Sequence, residues 1–242
     1  MEPRTTAETW AGLELLGPFV LRIDGSAVRV TRGSERVLAV LGLHKRMDRR
    51  RVSGMLWPDH TGERAAANLR AAIWRLPGYG RRLIVATGRE LALDPLVDCD
   101  VDRLKASALD LLEGNGLADR VAELCKFNDD LLPDWDEEWL TSEREWLQQL
   151  KMQALDFAAE WLTTVGRSAE AALVAMLAVR ADPLRESSQR LLVAAHEANH
   201  NHSLAIRQYE LYRTLVRTEL GIDPGFPEPN GVASRDLAMT PE

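Results

Sequence analysis

Residues 48–78 read DRRRVSGMLWPDHTGERAAANLRAAIWRLPG, and this stretch decides the fold. Asp48 is a helix-capping residue type, and it precedes Val52, Met55 and Leu56, which recur at the i, i+3, i+4 spacing of one helical face. A short helix reaching Trp57 is therefore expected, stopped by Pro58. After the loop 58–62 a further helix is predicted over 63–76. Its apolar stripe is Ala65 or Ala66, Leu69, Ile73 and Leu76, and Pro77-Gly78 ends it. Two short helices joined by a tight loop read as a helix-turn-helix whose second member is the recognition helix.

Upstream, Leu13-Glu14-Leu15-Leu16, then Phe19 to Ile23, the turn pair Asp24-Gly25 and Val28-Arg29-Val30 read as a small antiparallel sheet. Ser34 is positioned to cap another helix, with Val37, Leu38, Val40 and Leu41 on its apolar side. Downstream, residues 83–86, the pair Thr87-Gly88 and residues 89–93 read as a closing hairpin. Strands, three helices and a terminal hairpin describe an α+β winged helix-turn-helix, assigned to residues 12–97.

From Asp98 the strand signals vanish. Helices are predicted over 137–165, bounded by Gly166, then over 168–181, from Asp182-Pro183 to about Asn199, and over 202–220, ending at Gly221. The run 200–206 matches 166–172 at an offset of 34, the tetratricopeptide period, so the second domain, 98–224, is expected to be all-α and tetratricopeptide-like. Residues 225–242, with three prolines and no periodicity, are expected to be a mobile tail.

The charge follows the same division. The chain carries 30 Lys and Arg against 37 Asp and Glu, a net charge of −7. Residues 1–97 hold 16 basic and 10 acidic residues, whereas 98–242 hold 14 and 27. A basic winged helix joined to an acidic helical body suits a nucleic-acid face and a protein-contacting face. The two cysteines have no CxxC spacing, and no run of 18 apolar residues or secretion signal is readable. A cytoplasmic, nucleoid-associated protein with no membrane partner, no cofactor and no metal is expected.

A recognition helix reads base edges with side chains such as Arg, bidentate to guanine, and Asn, bidentate to adenine. Arg64, Asn68, Ala71 and Arg75 lie opposite the predicted apolar stripe and are the expected base-reading set. Lys45, Arg46, Arg49 and Arg50 flank the capped start of the preceding helix, where backbone N–H groups already favour anions, and are expected on phosphates. Arg70, and the hairpin's Arg81, Arg82 and Arg89, complete the expected backbone contacts. Trp135, Trp139, Trp146 and Trp161 read as core of the helical domain, and Trp57 and Trp74 as core or inter-domain residues. His196-Glu197-Ala198-Asn199-His200 spells the H-E-x-x-H of zinc hydrolases. It sits at the end of a predicted repeat helix with no cleft strand nearby, so exposed polar residues at a helical turn are the expectation, and no catalysis is expected.

Several short strings resemble the Streptomyces antibiotic regulatory protein family of transcriptional activators. They are Leu-Gly-Pro-Phe at 16–19, Leu-Trp-Pro-Asp at 56–59, Ala-Asn-Leu-Arg at 67–70, Val-Asp at 97–98, Asp-Asp-Leu-Leu-Pro-Asp at 129–134, Glu-Trp-Leu at 138–140, Asp-Pro-Leu-Arg-Glu at 182–186 and Glu-Leu-Gly-Ile-Asp-Pro at 219–224. The chain departs from the family pattern at Leu76-Pro77, at Gly88-Arg89-Glu90-Leu91 in the wing, and at His200 where Gly is common. The resemblance implies an OmpR-like winged helix followed by a bacterial transcriptional activation domain. It implies a DNA-binding activator that binds direct repeats in double-stranded promoter DNA, often for antibiotic and other secondary-metabolite clusters. Two protomers would sit side by side and recruit RNA polymerase through its σ factor and other subunits. Asp59, His60 and Thr61, in the loop between the two helices, are the expected polymerase contacts. The competing reading is a tetratricopeptide-type interaction or sensor protein whose winged helix does not bind DNA specifically.

Overall fold

The computed structural model describes residues 11–78, 80–127 and 129–229, apart from the side chains of Gly80 and Arg81. Backbone contacts divide the chain into two compact units. The first runs to Lys105 and takes in Phe127–Trp146, and the second comprises Ala106–Lys126 and the chain from Leu147 onward.

In the first unit β1 (Ala11–Glu14), β2 (Val20–Ile23) and β3 (Ser26–Val28) form an antiparallel meander. Asp24 and Gly25 both adopt positive φ at its tight turn. Helix α1 (Arg32–His44) is capped one turn earlier than Ser34 predicts. Thr31 has extended backbone and its hydroxyl accepts the Ser34 N–H, while the buried Ser34 hydroxyl donates to the Ala72 carbonyl at 2.8 Å. A Cβ at Gly42 would lie 2.9 Å from both Leu13 Cδ2 and Leu15 Cδ1, so glycine lets α1 settle on the strand segment.

The helix-turn-helix follows. β4 (Arg46–Asp48), a strand absent from the sequence reading, leads into α2 (Arg49–Leu56). The Asp48 carboxylate accepts from the N–H groups of Arg50 at 2.8 Å and Arg51 at 3.4 Å, as its sequence position predicts. Helix α3 (Gly62–Trp74) comes next, with Arg75 at its C-cap. β5 (Ile84–Thr87) and β6 (Glu90–Leu93) form the hairpin, and the second sheet has the order β4-β6-β5.

β7 (Val97–Cys99) then returns parallel to β1, completing a four-stranded sheet of order β3-β2-β1-β7. A three-residue parallel strand has no periodicity to read. Asp100, at the start of α4 (Asp100–Leu112), secures it: the buried carboxylate accepts from Leu15 N at 2.9 Å, Leu16 N at 2.9 Å and Val101 N at 2.7 Å. Burial pushes this carboxyl above the ordinary range, against the pull of those N–H groups. The segment 127–146 belongs to this unit. Trp135 is buried with its ring stacked on Phe19 and beneath the Arg32 guanidinium, and Arg36 pairs with Glu137 at 2.7 Å.

Among the described residues the second unit has helices as its regular elements: the rest of α4, α5 (Leu117–Leu124), the later turns of α6 (Glu138–Thr164), α7 (Ser168–Ala181), α8 (Glu186–Ala198) and α9 (His202–Leu220). The repeat is visible in its turns. Gly166 N donates to Thr163 O and Arg167 N to Leu162 O; 34 residues on, His200 N donates to Glu197 O and Asn201 N to His196 O. Gly166 and His200 both take positive φ, 78° and 57°. These are matching Schellman ends.

Asp182 and Pro183 do not start a helix. Asp182 ends α7, and α8 begins at Glu186 after an Asp182 Oδ1 turn to Leu184 N. The start of α8 is held instead by Asp156, which accepts from Arg185, Ser187 and Ser188. The expected tail does not begin at 225. Gly225 N donates to Glu186, and Phe226 is buried, stacked on Tyr212 and edge-on to Tyr209. The remainder of that segment, 230–242, lies outside the described residues.

Trp146, expected in core, and Trp74, expected in core or between domains, are on the surface. Trp146 is 50% exposed beside the Lys105 ammonium, and Trp74 is 70% exposed. Trp139, Trp161 and Trp57 are half-buried.

Candidate nucleic-acid interface

Helix α3 presents its Ala65, Leu69 and Ala72 side chains to the core, continued by Leu76 just beyond its end. Ala72 takes the buried position that the sequence pattern gives to Ile73, which is only half-buried. The outward face is correspondingly rotated. Its exposed residues are Glu63, Arg64, Ala67, Arg70, Trp74 and Arg75. Of the predicted base-reading set, Arg64 and Arg75 are exposed, whereas Asn68 and Ala71 are half-buried along one edge. Ala67 and Trp74 stand nearer the centre of that face and escape a reading based on polarity. The signal that finds them is their three- and four-residue spacing from Arg64, Arg70 and Ala71.

The hairpin is brought against the start of α2. β4 pairs with β6 from Arg46↔Ala92 to Asp48↔Glu90, and β5 pairs with β6 as far as Thr87↔Glu90. Gly88, at φ 57°, and Arg89 form the two-residue tip. Arg49 N donates to the Arg89 carbonyl at 2.8 Å, so the wing tip and the first residue of α2 are neighbours.

The basic residues fall into two groups. Lys45, at positive φ where α1 ends, pairs with Asp102, and Arg46 faces Glu90 at 3.5 Å. Arg50, Arg70, Arg75, Arg82 and Arg89 are exposed and Arg49 half-buried, and none makes an ion pair among the described residues. The Arg81 side chain lies outside the described residues. Between α2 and α3 an open cleft of 840 Å³ is rimmed by Arg49, Arg50 and Arg70 and floored by Trp57, Ala65 and Leu69. Asp59, His60 and Thr61 are exposed on the connecting loop; His60 N donates to Trp57 O, and Thr61 precedes α3 without a side-chain cap bond.

The H-E-x-x-H string does not place two imidazoles on one helical face. His196 is buried in α8, and His200 lies beyond the helix end in left-handed backbone. Among the described residues no group of three His, Cys, Asp or Glu could hold a metal ion, and no helix is long and apolar enough to cross a membrane.

The family model described as bacterial transcriptional activator domain matches residues 82–227. The chain belongs to the bacterial transcriptional activator domain family. Membership agrees with the resemblance carried by the sequence strings. Among solved structures, EmbR of Mycobacterium tuberculosis, solved in complex with a low-affinity phosphopeptide, is similar at a TM-score of 0.71 and 22% identity. The match covers 90% of this chain and 62% of that chain, so the fold is shared while this chain spans less than two thirds of EmbR's length. No curated protein matches.

Proposed function

We propose that the chain is a sequence-specific DNA-binding transcriptional activator. The observation that carries the reading is the outward face of α3, where Arg64, Arg70 and Arg75 stand exposed, in a unit whose wing tip is tied to the start of α2. Such a face suits the major groove, with the exposed Arg50 of α2 and Arg89 of the wing as candidates for phosphates.

By family likeness the assembly is two protomers on promoter direct repeats, with RNA polymerase contacted through the Asp59 to Thr61 loop and the acidic helical unit, and with a secondary-metabolite gene cluster as the target. Capture and sequencing of genomic fragments bound by the purified chain tests the reading. Enrichment of promoter fragments carrying a spaced direct repeat is expected. Retention of all fragments equally, or of none, overturns it and leaves a protein-interaction module.

A further inference from the structure

We infer that Trp74 is a specificity residue that packs on the 5-methyl group of a thymine, so that each operator half-site holds a T at the position facing the C-terminal turn of α3. This rests on the DNA-binding reading above.

The outward face of α3 combines small and long side chains. Ala67 and Ala71 are short enough to let the helix backbone approach a surface closely. Arg64, Arg70, Trp74 and Arg75 project around them. Trp74 keeps 70% of its surface exposed on that face, opposite the buried Ala65, Leu69 and Ala72. An indole leaving water gains free energy in proportion to the apolar area covered, so a partner that seats on α3 is favoured if it offers an apolar feature there.

The neighbouring charges define that partner. Arg64, Arg70 and Arg75 are cationic and make no ion pair among the described residues, so a polyanion fits the face better than an apolar protein surface. On the major-groove edge of a duplex the apolar group is the thymine methyl. The indole carries a single N–H donor and no acceptor, so it has nothing with which to accept from the adenine N6 or cytosine N4 amino groups. Guanine offers the groove only its O6 and N7 acceptors and no apolar group, so the apolar ring matches thymine. Aromatic wedging between base steps belongs to proteins in the minor groove, which does not admit a helix of this width.

The test uses the full chain and a random-sequence duplex pool. Sites are selected in parallel with wild type, Trp74→Ala and Trp74→Phe, the last keeping an aromatic ring as a folding control. The wild type is expected to enrich a site with a fixed T that Trp74→Ala no longer demands. Replacing that T with deoxyuridine, which removes only the methyl, is expected to weaken wild-type binding about four-fold. The same replacement should leave Trp74→Ala unchanged, with Trp74→Phe between. Identical enriched sites for wild type and Trp74→Ala, or an equal deoxyuridine penalty in both, overturn the role of Trp74 while leaving the DNA-binding reading intact. Failure of the wild type to enrich any sequence overturns both.

Discussion

Arg50→Ala separates phosphate-seeking arginines from those already engaged within the fold. Arg50 is exposed in the first turn of α2, where its backbone N–H is held by Asp48, and its guanidinium makes no ion pair among the described residues. If it neutralises one phosphate, its removal should flatten the dependence of log K on log salt by about 0.9. Between 50 and 200 mM salt, the four-fold range over which this slope acts, the gap between wild type and variant should shrink by about 3.5-fold. Arg46→Ala is the matched control. Arg46 lies on the adjacent strand but faces Glu90 at 3.5 Å, so little change of slope is expected. Fluorescence anisotropy of a labelled duplex across a salt series measures both, on a selected site and on a random one. An unchanged slope for Arg50→Ala on both duplexes, or the same change for Arg46→Ala, refutes the division of the basic residues by their internal partners.

Four further outcomes concern stability. Asp100→Ala leaves the Leu15 and Leu16 N–H groups without their acceptor and should cost about 3 to 5 kcal/mol in urea unfolding; less than about 1 kcal/mol would contradict the anchoring role. His200 occupies left-handed backbone that its repeat counterpart Gly166 fills without strain, so His200→Gly should raise stability by about 0.5 to 1 kcal/mol, and a loss would count against the matched turns. Burial holds His196 below the ordinary histidine range. The unfolded chain therefore binds its proton first as pH falls, and stability should be full above about 6.5 and decline below it, a decline His196→Leu should flatten in denaturation midpoints between pH 7 and 5. Phe226→Ala opens the contact with Tyr209 and Tyr212 and should cost about 3 kcal/mol; indifference in thermal unfolding would show that the segment after Pro224 is not part of the core.

Local patterns carried a large share of this protein's architecture. Asp48 ahead of an apolar face, Pro58, the Asp24-Gly25 turn and the offset of 34 each act through neighbouring backbone, so each is legible without knowing what packs against it, and the hairpin turn was legible to within one residue, falling at Gly88-Arg89 and not at Thr87-Gly88. What failed were assignments that depend on distant chain. β7 and β4 are three-residue strands whose identity comes from β1 and β6, and the carboxylate that fixes β7 bonds amides some 85 residues away. Asp182-Pro183 has the composition of a helix start, yet Asp156 holds the true start three residues later because its carboxylate meets Arg185, Ser187 and Ser188 there. Phe226, in a segment without periodicity, is recruited by two tyrosines of α9.

For the candidate interface, the sequence alone determined the helix and the sign of its charge. Tertiary structure decided which way the helix faces, and it did so through one residue. With Ala72 rather than Ile73 against the core, helical geometry turns Trp74 and Arg70 outward and moves Asn68 to the edge. It also decided which cations are available, because Asp102 and Glu90 reach Lys45 and Arg46 only once the chain has folded back on itself. An ion pair between distant positions, and the rotation of a helix about its own axis, are set by three-dimensional packing that no local pattern of residue types encodes.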